Sequence, residues 1–152
     1  MSFEARITEL GIELPTPPVP VAAYVPAVTS GSLLWISGQV PIRDGGLPRT
    51  GLVGADVTQD DAIEEARWCA INLLAQMRAA LGSLDRVARI VKLQVFVASA
   101  PGFTMQPLVA NGTSELLVEI FGDAGRHARS AVGVAALPLG APVEVDAVIE
   151  IR

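Results

Sequence analysis

The order of periodicities along the chain predicts an α+β fold, a mixed β-sheet with two long helices packed on one face. Three features carry that expectation: a helical apolar stripe over residues 58 to 81, a second over 107 to 121, and alternating apolar runs before, between and after them. The 152 residues are 51% hydrophobic and 18% charged, enough to bury one core and too few to need a second.

Residues 2 to 10 place Phe3, Ile7 and Leu10 on one face, predicting a short helix begun at Ser2 and stopped at Gly11. The run PTPPVP over 15 to 20 fixes an extended strap, so residues 1 to 19 are set apart from a main body over 20 to 152. Two apolar runs, Val25 to Val28 and Leu33 to Ile36, flank Thr29-Ser30-Gly31-Ser32 and predict a hairpin. The Gly-rich stretch from Arg43 to Gly54 is a loop, and no Lys-Ser or Lys-Thr follows its glycines as phosphate-loop chemistry would need.

In the long helix Ala62, Ala66, Cys69, Ala70, Leu73, Leu74, Met77 and Leu81 make the stripe. Thr58 and Asp61 resemble a capping box, and Gly82 supplies the stop. Ile90 to Val97 alternates as a strand, with Val91, Leu93, Val95 and Val97 expected on one face and Lys92 and Gln94 on the other. Leu108, Leu116, Leu117, Ile120 and Phe121 mark the second long helix, ended by Gly122. A strand over Ala131 to Leu137, a turn with Pro138, Gly140 and Pro142, and a last strand from Val143 to Ile151 close the order ββ, α, β, α, ββ. The outward face of that last strand carries Glu144 and Asp146, a half-polar surface for solvent or a second subunit.

Charge and composition narrow the function. A formal net charge of -5, with eleven basic residues that never form a run, disfavours nucleic acid as the main partner. No apolar stretch is long enough for a membrane span, and Glu4, Arg6 and Glu9 stand where a signal peptide needs an apolar block, so a cytoplasmic location is expected. The lone Cys69 and lone His127 allow neither a disulfide nor a His/Cys metal cluster, and no metal is expected. A mean hydropathy of +0.46 is high for a small monomer and points to apolar surface shared with another subunit.

The residues with chemical potential each have an ordinary reading as well. Arg129 falls where a loop enters the sheet, and its guanidinium can hold a carboxylate with two parallel hydrogen bonds; most arginines are simply solvated. Glu144, read as one hairpin away on the neighbouring strand, can act on a water or be an exposed strand carboxylate. Ser37-Gly38-Gln39 ends an apolar strand, where Gly38 permits close approach of a ligand or marks a strand-end turn. Tyr24 follows the strap as a cleft wall or an interface packer, and Asn111 sits near the start of its helix, where a solvated or capping Asn is common. His127 has no Ser-His-Asp arrangement around it and reads as structural, and Cys69 lies in an apolar stripe as a buried small hydrophobe.

Taken in order, Tyr24, Leu34-Trp35-Ile36-Ser37-Gly38-Gln39-Val40-Pro41, Asn111, Arg129-Ser130-Ala131-Val132, Leu137-Pro138 and Val143-Glu144-Val145 resemble the RidA/YjgF family from about residue 20 to the end. Residues 1 to 19 and the longer loop after Val40 resemble a variant branch with an N-terminal extension. The resemblance implies a chorismate-mutase-like fold, a homotrimer and clefts between its subunits. It further implies hydrolysis of small 2-enamino or 2-imino acids such as 2-aminoacrylate to 2-keto acids and ammonia, with no cofactor. In those terms Arg129 matches the carboxylate-binding arginine, Glu144 the cleft glutamate, Tyr24 the cleft tyrosine and Ser37 the strand-end serine. Gly38, Asn111 and Ala131 complete the substrate-binding set. Ala131 stands where some members have cysteine, which implies an altered substrate preference. A trimeric protein that binds or senses keto acids without turnover is the alternative, since Arg129 serves both. The endoribonuclease and translation-inhibitor label of some relatives fits worst, because RNA cleavage wants basic grooves and an acid-base pair.

Overall fold

A computed structural model describes residues 1–17, 20 and 22–152 of the chain. The elements run α1 (Phe3–Glu9), β1 (Ala27–Ser30), β2 (Leu33–Gln39), α2 (Gln59–Leu81), β3 (Val87–Ala98), α3 (Gln106–Phe121), β4 (Ala128–Val134) and β5 (Val143–Ile151). They form a five-stranded sheet ordered β1-β2-β5-β3-β4, in which only β3 and β4 run parallel. Helix α2 packs on β2 and β5, and α3 packs on β3 and β4, so both long helices cover the same face. The expected α+β architecture is therefore present.

Local chemistry sets the element ends. The Thr58 hydroxyl accepts from Asp61 N at 3.1 Å, acidic residues fill the first turn of α2, and Gly82 ends it in the left-handed conformation at φ 80°. The two helices approach so closely that a Cβ on Gly112 would collide with the Ile63 carbonyl oxygen. Thr113 uses the same proximity to donate to Ala66 O at 2.6 Å. Beneath them Leu34, Leu73, Leu74, Met77, Leu93 and Leu116 are fully buried. The apolar face of α1 joins this core: Ile7 is buried, Phe3 meets Phe121 edge-on at 4.7 Å between ring centroids, and Glu4 pairs with Arg78.

Four details differ from the sequence expectations. The hairpin closes two residues later, with Gly31-Ser32 as its turn and Gly31 at φ 61°, because glycine is the residue that takes that conformation cheaply. Val91 is exposed, and Ile90 occupies the core face, because an irregularity between Ile90 and Lys92 shifts the alternation of β3 by one residue. The fourth strand starts at Ala128, not Ala131, so Arg129 lies inside the sheet opposite Leu93. Finally β4 does not neighbour β5: β3 lies between them, so Glu144 is not one hairpin from Arg129. The central part of the proline strap, at 18, 19 and 21, lies outside the described residues.

The face of the sheet away from the helices is bare in the single chain. Val28, Trp35 and Val132 are 52%, 51% and 47% exposed there, beside Gln94, Glu144 and Asp146. Among the described residues, no helix is long and apolar enough to cross a membrane.

Candidate functional site

The predicted site residues fall into two groups on two faces. The first lines a pocket of about 320 Å³ at the far end of β2, where Tyr24, Ser37, Gly38, Pro138, Leu139 and Glu144 meet. The pairing of β2 with β5 slips between Ile36 and Gln39, and this turns the Ser37-Gly38 segment out of the regular ladder. Ser37 is held there by its own backbone N–H donating to Pro26 O and its hydroxyl donating to Val25 O, both at 2.9 Å. These bonds fix the segment that carries Tyr24 against the strand end. A side chain at position 38 would collide with Glu144 Oε1, so only glycine lets that carboxylate sit where it does.

Glu144 is half-buried, and its carboxylate makes no hydrogen bond or ion pair to the described residues. Burial pushes its carboxyl pKa above the usual range, and the nearby charge of Asp146 pushes it further the same way. An unpartnered carboxylate of raised basicity at a pocket wall is suited to accept a proton from water.

At the pocket wall, buried amides that sequence reasoning missed hold the strand end in place. Asn72 Nδ2 donates to Val40 O and Ile42 O at 2.9 and 3.0 Å, and Gln76 Nε2 donates to Gln39 Oε1 at 3.4 Å. Their four-residue spacing on α2, amid an apolar stripe, was the available signal. The loop that follows is pinned by Glu65, which is fully buried and receives Arg43 through two hydrogen bonds, at 3.1 and 2.9 Å, and Arg49 at 2.6 Å. Arg43 also lies 4.8 Å from the Trp68 ring centre.

The second group gathers around Arg129 on the helix face at the β4 edge. Its Nη1 donates to Asn111 Oδ1 at 2.9 Å and to Ser114 Oγ at 3.1 Å, and Nη2 donates to Pro107 O at 3.2 Å. A guanidinium has five N–H donors. Nη1 is used up, while Nε–H and one Nη2–H have no partner among the described residues. Both free N–H groups are available to an incoming carboxylate. Ala131, two residues along the same strand face, packs partly buried against the core. Ser114 was missed, although it follows Asn111 by three residues and so shares its face of α3. His127 bridges Ser114 Oγ at 2.9 Å and Gly125 O at 2.6 Å. Burial lowers its pKa, and the charge of Arg129 lowers it too, against the hydrogen bond to Gly125. Cys69 is fully buried, and burial raises its thiol pKa well above the ordinary value, as an inert thiol requires.

The two groups cannot act on one small molecule within a protomer. Glu144 stands opposite Phe96, and Phe96 opposite Val132, so these three share the open face. Arg129 is an odd number of residues from Val132 and points to the other face, two strand spacings, or about 10 Å, away across the sheet.

Comparison with known proteins was consistent along the chain. Residues 4–151 match the YjgF/chorismate mutase-like family, whose description also carries an endoribonuclease label. Protein TCP17 of Trypanosoma cruzi is 53% identical over 149 residues, covering 97% of this chain and 93% of that protein. The 2-iminobutanoate/2-iminopropanoate deaminase of Escherichia coli K12 is 34% identical over 131 residues, covering 86% of this chain and 89% of the deaminase. The crystal structure of Atu1372 from Agrobacterium tumefaciens superposes with a TM-score of 0.90 at 49% identity, covering 98% of this chain and 91% of that one. With its five-stranded mixed sheet, its helices on one face and a match spanning nearly its whole length, the chain belongs to the YjgF/RidA family.

Proposed function

We propose that the chain is a hydrolase of small 2-imino and 2-enamino acids, working in a cleft where the Arg129 group of one subunit faces the Glu144 group of another. The observation that carries this reading is the half-used guanidinium of Arg129, tied down through Nη1 and one Nη2–H, with Nε–H and the other Nη2–H free among the described residues. A homotrimer supplies the second half of each site and covers the bare sheet face around Val28, Trp35 and Val132.

In this arrangement Arg129 holds the substrate carboxylate and so fixes the adjacent imine carbon. Glu144 accepts a proton from a water as its oxygen attacks that carbon, giving a tetrahedral carbinolamine. Glu144 returns that proton to the nitrogen, then takes the hydroxyl proton and relays it to the nitrogen as well, so that the C=O bond forms as the C–N bond breaks and a 2-keto acid and ammonia leave. Tyr24, Ser37 and Gly38 wall the reacting centre, with Asn111 orienting Arg129 and Ala131 beside it. The imine carbon is already electrophilic, so the steps require neither cofactor nor metal. An RNA-cleaving role is not favoured: the pocket's charged groups are Glu144 and, close by, Asp146, which repel phosphates.

The test couples the protein to a serine or threonine dehydratase that releases 2-aminoacrylate and follows keto-acid appearance. The native protein accelerates release, and Arg129→Ala does not. No acceleration by native protein that nevertheless binds pyruvate would leave a binding protein for keto acids.

A further inference from the structure

The single histidine of the chain completes a hydrogen-bond chain whose direction is fixed by the donors at its ends. Arg129 can only donate, so Ser114 Oγ accepts from Nη1 at 3.1 Å. At the other end the Gly125 carbonyl can only accept, so His127 Nδ1 carries a hydrogen toward it at 2.6 Å. The neutral ring therefore offers Nε2 as an acceptor, and the one hydroxyl hydrogen of Ser114 goes to it at 2.9 Å. Each partner has one role, and Ser114 stands between a permanent cation and a titratable ring.

A proton on Nε2 reverses the middle of this chain. The imidazolium must donate to Ser114, whose oxygen then faces two cationic donors. The charged surroundings give it no relief: no carboxylate of the described residues lies within ion-pairing reach of His127. On α3, Glu115 and Glu119 line the groove that also holds Ser114, and Glu119 approaches Arg67 at 3.8 Å. Asp123 and Arg126 pair with each other in the preceding turn, and Lys92 of β3 donates to Ser130. Arg129 is the charge that His127 meets through Ser114. A carboxylate held by the free donors of Arg129 offsets that charge.

We propose that Ser114 and His127 are positioning residues that couple the carboxylate site to a proton, so that an organic acid on Arg129 and a proton on His127 bind cooperatively. Occupancy of Arg129 draws a proton onto His127, and by reciprocity a protonated His127 strengthens carboxylate binding. The inference rests on the proposed carboxylate role of Arg129, and Ser114 is the group that transmits it.

Because His127 is the only histidine, its C2–H proton resonance is identified without assignment and its titration can be followed directly by NMR in the full-length protein. With saturating pyruvate as the probe, the His127 midpoint moves to higher pH, and pyruvate binds about threefold tighter below that midpoint than above it. Arg129→Ala raises the midpoint of the free protein and makes it indifferent to pyruvate. Ser114→Ala weakens the coupling, and Ser114→Thr, which keeps the hydroxyl, restores it. Pyruvate that binds in an Arg129-dependent way without moving the His127 midpoint overturns the coupling and leaves the carboxylate reading standing. No pyruvate binding at any pH overturns both.

Discussion

Glu144 Oε1 occupies the space that a side chain on Gly38 would need, so the position of the carboxylate depends on the absence of a single methyl group from the facing strand. Gly38 is not in the positive-φ region, and its requirement is one of room, not of backbone conformation. Gly38→Ala is therefore expected to fold, since the colliding atom is the end of a flexible side chain. The carboxylate swings aside, and kcat/KM for imine hydrolysis falls about 100-fold. An unchanged melting temperature with that loss is the expected pair of results; full activity would remove Glu144 from the reacting centre.

The pH profile follows from the same residue. A general base works only when ionised, and burial, reinforced by Asp146, holds the Glu144 pKa above the ordinary carboxylate range. Activity thus falls as pH drops through that raised value. Asp146→Asn removes the like charge and moves the acid limb of kcat/KM to lower pH, measurable in a profile from roughly pH 4 to 8. A limb that stays in place would show that some other group governs it.

Glu65 makes a stability prediction independent of catalysis. It is fully buried, and Arg43, itself mostly buried, is paired to it in bidentate fashion. Removing one partner of a buried pair strands the other charge, so Glu65→Ala is expected to cost about 3–5 kcal/mol in denaturant unfolding. A loss well below 1 kcal/mol would mean that the loop over 43 to 49 keeps its arginines solvated instead.

The N-terminal helix separates stability from chemistry. Ile7, Phe3 and Glu4 bind it to α2, α3 and the turn at Leu84 and Asp85, and none of its residues lines the pocket. Deleting residues 1 to 10 lowers the melting temperature and exposes Phe121 without changing kcat. A fall in kcat larger than the fall in folded fraction would place the extension in the working site.

The long helices and the last strand were legible because their apolar periods are uninterrupted and because the caps of α2, Thr58 and Gly82, have few alternative uses. The register of β3 was not, since an irregularity at Ile90 to Lys92 changes which residues face inward without changing composition. The site was half legible. Arg129, Glu144 and Gly38 stand in short recognisable strings, but the faces they occupy depend on β3 lying between β4 and β5, a long-range pairing that no local pattern encodes. Ser114, Asn72 and Gln76 went unread for another reason. Each is a common polar residue in a helix, and its role comes only from what the fold brings opposite it.

The most direct test of a shared site is complementation between two inactive variants, Arg129→Ala and Glu144→Gln, co-expressed and purified as mixed assemblies. If the arginine and the glutamate of one cleft come from different subunits, random mixing in a cyclic trimer restores about one quarter of native activity per site. Activity no greater than that of the two variants measured separately would contradict the account.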